Sequence, residues 1–122
     1  MDGTPETIET PTTADELTSL RCVGCEGIGT HMTEEDAARQ AALVPAWKRS
    51  GTDAISREFS FGDFAAALAF TNEVGRIAED QWHHPDIELG WGRCRVTLTT
   101  HAVGGLTIND FILAAHLDRL PT

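Results

Sequence analysis

Alternating hydrophobic and polar residues predict a strand over residues 54–61, because Ile55 and Phe59 share one side of an extended chain while Glu58 faces the other. Residues 46–50 precede this strand. The Gly51-Thr52-Asp53 sequence between the two segments is typical of a tight turn. The pattern therefore predicts an antiparallel hairpin with one apolar face.

A second hairpin is predicted further along the chain. Residues 87–89 and 93–100 flank Gly90-Trp91-Gly92, and Val96 and Leu98 alternate with polar residues in the longer segment. The two hairpins together supply four strands.

A hydrophobic period of 3.6 residues predicts an amphipathic helix over Asp63–Asp80, between the hairpins. A first helix should begin after the N-cap Thr33 and end at or before Pro45, and a last helix should begin after Thr107, with Asp110 in the capping-box position. The apolar positions of the central helix cover about half of its circumference; they are Phe64, Ala67, Leu68, Phe70, Thr71, Val74, Ile77 and Ala78.

The order helix, hairpin, helix, hairpin, helix predicts an α+β domain in which a four-stranded antiparallel sheet is covered on one face by three helices. We assign this domain to residues 21–122. Residues 1–20 are rich in acidic residues and Thr and contain no Lys or Arg. Such a composition is typical of disorder, so we expect a solvated tail that can be deleted without loss of activity.

Charge and composition exclude some partners. The 122 residues carry a formal net charge of -10, whereas a surface that binds nucleic acid needs concentrated Lys and Arg. The sequence has neither an apolar run long enough to cross a bilayer nor a secretory leader. We therefore expect a cytoplasmic protein that binds neither nucleic acid nor membranes.

The three cysteines cannot all pair within one chain, which favours a reducing compartment. Cys94 lies in an apolar run and is expected to be a small buried residue. Cys22 and Cys25 are spaced as in half of a zinc site, and His31 follows, but a structural zinc ion needs four ligands. An inert surface loop is the favoured interpretation; zinc or a disulfide shared between chains stays open, and we predict no metal site.

Three of the five histidines, His83, His84 and His101, lie at the ends of predicted elements. His83 and His84 close the central helix before Pro85, and His101 follows the last strand. Imidazole can both give and take a proton near neutral pH, so such a group indicates acid–base chemistry. The three rings would reach one cleft if the second hairpin folds back beside the helix end.

These histidines belong to a longer ordered pattern. It comprises Glu79, His83-His84-Pro85-Asp86-Ile87, Trp91, the strand from Val96 to His101, Gly104-Gly105-Leu106-Thr107 and Asp110, preceded by Phe59, Phe61 and Phe64. In this pattern the chain, from about Cys22 to Leu120, resembles the pterin-4a-carbinolamine dehydratase family.

The resemblance implies the same sheet-and-helix fold, and a reaction that converts 4a-hydroxytetrahydropterin into quinonoid dihydropterin and water without a cofactor or a metal. It implies a pterin substrate and a homodimer or homotetramer. By position, the expected catalytic residues are His83, His84, His101 and Glu79, and the expected substrate contacts are Trp82, Pro85, Thr99, Thr100 and Trp91. For Asp110, a capping role is sufficient.

Two positions depart from the family pattern. Ala102 replaces an acidic or polar residue, and Trp82 stands where a smaller or polar residue is common, which bears on the shape of the pocket. Two other classes of function stay open: an interaction protein, since animal members of the family are dimerisation partners of a transcription factor, and a pterin-binding protein of another pterin pathway.

Overall fold

The computed structural model describes residues 10–23 and 29–122. The strands, numbered in chain order, are β1 (Lys48–Ser50), β2 (Ala54–Ser60), β3 (Asp86–Gly90) and β4 (Arg93–Leu98). The helices are α1 (Ala14–Thr18), α2 (Glu34–Ala41), α3 (Phe64–Gln81) and α4 (Ile108–Asp118), and a 3-10 turn spans His101–Val103. This arrangement confirms the α+β prediction, with α2, α3 and α4 as the three expected helices.

The four strands form one antiparallel sheet in the order β1-β2-β4-β3. Both predicted hairpins are present, and β2 and β4 join them, with Ile55 opposite Leu98 and Phe59 opposite Cys94. These four side chains are buried on the inner face, as the alternation predicts. Burial raises the pKa of the Cys94 thiol, which is consistent with the small buried residue expected from the sequence.

Helix α3 packs against β3 and β4. It begins where the Asp63 side chain accepts a hydrogen bond from the Ala66 N–H at 2.8 Å. Much of its predicted apolar face, including Phe70 and Val74, is buried. Phe64 and Leu68, which belong to the same predicted face, are exposed.

Helix α4 forms the centre of the core, and most of its residues are buried. The Thr107–Asp110 capping box predicted from the sequence is present at its first turn. At the other end, Asp118 accepts hydrogen bonds from the Trp47 indole at 2.8 Å and from Arg57 at 2.5 Å. These bonds attach the helix to the chain of β1 and β2.

Residues 10–20 differ from the disordered tail predicted for residues 1–20. They contain α1, which packs against α4, and Leu17 is fully buried in the core. The Pro11 carbonyl also accepts a hydrogen bond at 3.0 Å from Gln40, on α2. One well-placed leucine and the Thr13–Glu16 capping box outweigh the polar composition on which the prediction was based. The remainder of the predicted tail, residues 1–9, lies outside the described residues.

Within the part of the chain that the structure describes, no helix combines the length and the apolar character that crossing a membrane requires.

Leu17→Ala should lower the free energy of unfolding by about 2–5 kcal/mol, since it removes a fully buried side chain and leaves a cavity. The measurement is urea denaturation followed by circular dichroism. Asp15→Ala, which removes an exposed ion pair with Arg119 from the same helix, is the control and should cost about 1 kcal/mol or less. Equal small effects would show that α1 does not contribute to the core.

Candidate active site

The end of α3 and the open end of the β3–β4 hairpin lie together. Pro85 cannot continue a helix, so the chain leaves α3 and enters β3 at Asp86. The hairpin pairs Gly90 with Arg93 and Asp86 with Thr97, so β4 runs back toward the residues that precede β3. The antiparallel register therefore brings His101 to the same end of the sheet as the two histidines that follow α3.

His83 lies in the interior, with 6% of its side chain exposed. Its Nε2 is 2.7 Å from Oδ1 of Asp110, which is completely buried at the first turn of α4. Because a carboxylate only accepts hydrogen bonds, the ring donates from Nε2. His83 is therefore positioned by a buried acceptor and faces away from solvent.

The other carboxylate oxygen of Asp110, Oδ2, accepts two further hydrogen bonds at 2.9 Å, from the Thr100 hydroxyl and the Thr107 N–H. Thr100 in turn accepts from the Thr107 hydroxyl at 2.8 Å, since its own proton goes to Asp110. One carboxylate thus joins the end of α3, the chain after β4 and the start of α4.

Asp110 has more than the capping role that the sequence suggested. Thr100, which was expected to contact the substrate, has a buried side chain whose hydroxyl is bonded inside the protein, and the expected contact stays a prediction. Sequence reasoning had no means of assigning either role, because both depend on contacts between distant parts of the chain.

His84 points the other way from its neighbour, and 49% of its side chain is exposed. Its Nε2 is 2.5 Å from Oε2 of Glu79, which lies on the solvent-facing side of α3 as the helical period predicted. The carboxylate accepts the Nε2–H, so Nδ1 is the ring nitrogen left for proton exchange with a bound molecule. Glu79 and His84, both expected in the site from the resemblance, are thus in direct contact.

His101 is the most exposed of the three, at 75% of its side chain. Its Nε2 lies 3.7 Å from Oδ2 of Asp86, and this carboxylate was not among the predicted site residues. The hairpin register gave no signal for it, since it pairs Asp86 with Thr97, four residues before His101. Each exposed histidine therefore has a carboxylate partner.

The other residues expected to contact the substrate lie in two parts of the structure, at the end of the sheet with the histidines and at the turn of the β3–β4 hairpin. Pro85 is half-buried next to His84, and the Thr99 hydroxyl donates a hydrogen bond to the Asp53 carbonyl at 2.6 Å. Trp82 lies beside His84, with ring centroids 4.9 Å apart. Trp91, by contrast, occupies the turn of the hairpin, so the length of β3, roughly 15 Å, separates it from the histidines of its own chain.

No group of three His, Cys, Asp or Glu side chains suited to a metal ion occurs among residues 10–23 and 29–122. The half-site considered from the sequence depends on Cys25, which lies outside the described residues. Of its other two members, Cys22 is half-buried and His31 contacts the carbonyl of Met32 through Nδ1 at 2.8 Å.

Comparison with known proteins agrees with this arrangement. The family model described as pterin 4 alpha carbinolamine dehydratase matches residues 30–120. The chain belongs to this family. The match covers β1 to β4, α3 and α4, and it includes His83, His84 and His101.

Family relatives from bacteria match over most of their length. A protein of Rubrobacter xylanophilus is 44% identical over 105 residues, which are 86% of this chain and 98% of the relative. One from Aromatoleum aromaticum is 46% identical over 108 residues, 88% of this chain and 96% of the relative. Both carry the name "Putative pterin-4-alpha-carbinolamine dehydratase".

Two solved structures share the fold. A transcriptional coactivator/pterin dehydratase from Brucella melitensis is 31% identical with a TM-score of 0.68, and the match covers 73% of this chain and 96% of that one. A pterin dehydratase-like protein described as a RuBisCO assembly factor in the alpha-carboxysome is 24% identical with a TM-score of 0.51, over 60% of this chain and 86% of that one. The second likeness shows the dehydratase fold alone.

Asp110→Ala should lower the free energy of unfolding by about 3–5 kcal/mol, because three buried donors lose their acceptor at once. Asp86→Ala, which also removes a carboxylate beside a histidine but from an exposed pair, should cost about 1 kcal/mol or less. Chemical denaturation of both variants measures the difference. Similar costs would mean that the Asp110 network does not hold the site together.

Proposed function

We propose that this protein catalyses the dehydration of 4a-hydroxytetrahydropterin to quinonoid dihydropterin and water, in the recycling of tetrahydropterin. The observation that carries the proposal is the pair of exposed imidazoles, His84 and His101, at one end of the sheet, each beside a carboxylate. Membership of the dehydratase family supplies the substrate class.

The reaction needs one proton donor and one proton acceptor. The C4a–O bond breaks, and the departing hydroxyl takes a proton from an imidazolium to leave as water. A ring N–H of the pterin gives its proton to a neutral imidazole, and its electron pair forms the new double bond at C4a. Two imidazoles in different protonation states supply both groups, and the proton taken by one replaces the proton given by the other after product release.

The carboxylates set how the exposed rings are used. Glu79 accepts from Nε2 of His84, which holds the ring in one orientation and leaves Nδ1 for the substrate. Asp86 lies 3.7 Å from Nε2 of His101 and so faces that side of the ring.

His83 has a different part in this proposal. Its ring is buried and its Nε2–H is bound to Asp110, so it positions the adjoining His84. It is a positioning residue of the site, as are Thr100 and Thr107, which bond to the same carboxylate or to each other.

A second candidate function is that of an interaction protein. Phe64 and Leu68, one helical turn apart on α3, are exposed apolar side chains suited to a contact with another protein or a second copy of this chain. The related structure from Brucella melitensis is described as a transcriptional coactivator as well as a pterin dehydratase. Such a role does not require the exposed histidines.

His84→Ala and His101→Ala should each lower kcat by about 10²- to 10⁴-fold, the usual effect of removing one positioned acid or base. Both side chains are largely exposed, so the melting temperatures should stay close to wild type. The loss in the double mutant should be smaller than the product of the single losses, because the two groups act in one step. The assay follows quinonoid dihydropterin formed from freshly generated 4a-hydroxytetrahydropterin.

His116→Ala is the matched control, since this histidine lies in the last turn of α4, where its ring bonds to the Leu20 carbonyl, and is not part of the proposed site. Its turnover should equal that of wild type. A folded double mutant of His84 and His101 that turns over normally would remove both residues from the mechanism and favour the interaction protein.

A further inference from the structure

A mostly apolar cleft of about 370 Å³ lies between residues 10–23 and helices α2 and α4. Sites for small molecules have volumes in this range, with largely apolar walls and a few polar groups. None of the described residues that line this cleft belongs to the proposed active site. Its apolar walls are formed by Pro11, Leu20, Val23, Met32, Ile108 and Ile112.

Gln40, on α2, contributes an uncharged polar group to the wall of the cleft. The residue is only 1% exposed, and its Nε2 donates a hydrogen bond to the Pro11 carbonyl at 3.0 Å. Because that carbonyl can only accept, this bond fixes which end of the amide is the nitrogen and which is the oxygen.

The oxygen of this amide, Oε1, is buried and has no hydrogen-bond partner within residues 10–23 and 29–122. It is the one buried side-chain oxygen or nitrogen in this condition in the described part of the chain. Folding removes water from such an acceptor, and nothing in the described protein replaces that hydrogen bond. A donor group on a molecule in the cleft would supply it.

The charged residues of the cleft do not call for a charged ligand. They are Arg21 and Asp36. Arg21 donates hydrogen bonds to the carboxylate and the carbonyl of Asp80, and Asp36 forms an ion pair with Arg39 at 2.7 Å. Each charge is thus balanced by a neighbour, so the cleft suits an uncharged molecule.

We infer that this cleft is a second binding site, for a small, uncharged, mainly apolar molecule that donates one hydrogen bond from an N–H or O–H group to Oε1 of Gln40. Its apolar part is transferred from water to the walls of the cleft, where the Met32 thioether suits an aromatic ring. Its donor gives the specificity, because a molecule without one leaves the buried acceptor unpaired.

The test measures the binding of indole and of 1-methylindole, which lacks the N–H donor, by titrations followed with nitrogen–proton correlation NMR. Indole should bind with a dissociation constant of about 1 mM or lower and should shift the side-chain amide signals of Gln40. 1-Methylindole should bind about 2- to 12-fold more weakly, the factor that corresponds to one net hydrogen bond.

Three variants separate the acceptor from the cleft. Gln40→Met keeps the length of the side chain but removes the acceptor, so the two ligands should then bind within about 2-fold of each other. Ala38→Met, at an exposed position of the same helix, is the matched control and should keep the wild-type difference. Met32→Trp adds bulk to the wall of the cleft and should abolish the binding of both ligands while Gln40 stays in place.

A cleft that holds only water would give no saturable shifts with indole up to about 10 mM, and this result overturns the inference. Equal affinity of the wild-type protein for the two ligands overturns it as well, and so does a difference that survives in folded Gln40→Met. The wild-type titrations decide the question even if a variant does not fold. No measurement here requires turnover, so the result is independent of the dehydratase proposal.

Discussion

A single buried carboxylate holds the site of this protein in place. Asp110 has no exposed surface, and it accepts hydrogen bonds from His83, Thr100 and Thr107. These donors come from the end of α3, the chain after β4 and the start of α4. Because an unpaired buried donor or acceptor is costly, the four groups stabilise one arrangement of three elements against all others. The positions of the exposed histidines, His84 and His101, depend on this arrangement.

Two adjacent histidines with opposite surroundings are the result. His83 turns inward to the carboxylate, and His84 turns outward to Glu79. The interior ring is fixed by packing and by its partner, whereas the outer ring keeps one nitrogen available for chemistry. Reaction groups on a surface need such a rigid neighbour, because a small error in position removes most of the benefit of a catalytic group.

The backbone conformation and the side chain at the end of α3 favour different residues. Glycine would relieve the backbone at Trp82, yet the indole there lies against His84. The same helix leaves Phe64 and Leu68 uncovered at its other end. Both features expose large apolar surface that contributes little to folding.

The sequence alone determined the four strands and helices α2, α3 and α4, although not α1, because caps, turns and hydrophobic periods act between residues a few positions apart. The two hairpins, the Thr33 and Thr107 caps and the placing of three histidines at element ends all follow from such local rules. The family resemblance named the same histidines together with Glu79. Only the tertiary structure decided which histidine is buried, and that Thr100 bonds to Asp110. It also decided that Asp86 lies beside His101 and that Trp91 lies far from the three histidines. The place of Leu17 in the core was likewise decided by tertiary packing. These outcomes depend on register and on packing between distant residues, as with the His83–Asp110 pair, 27 positions apart, and no local pattern contains that information.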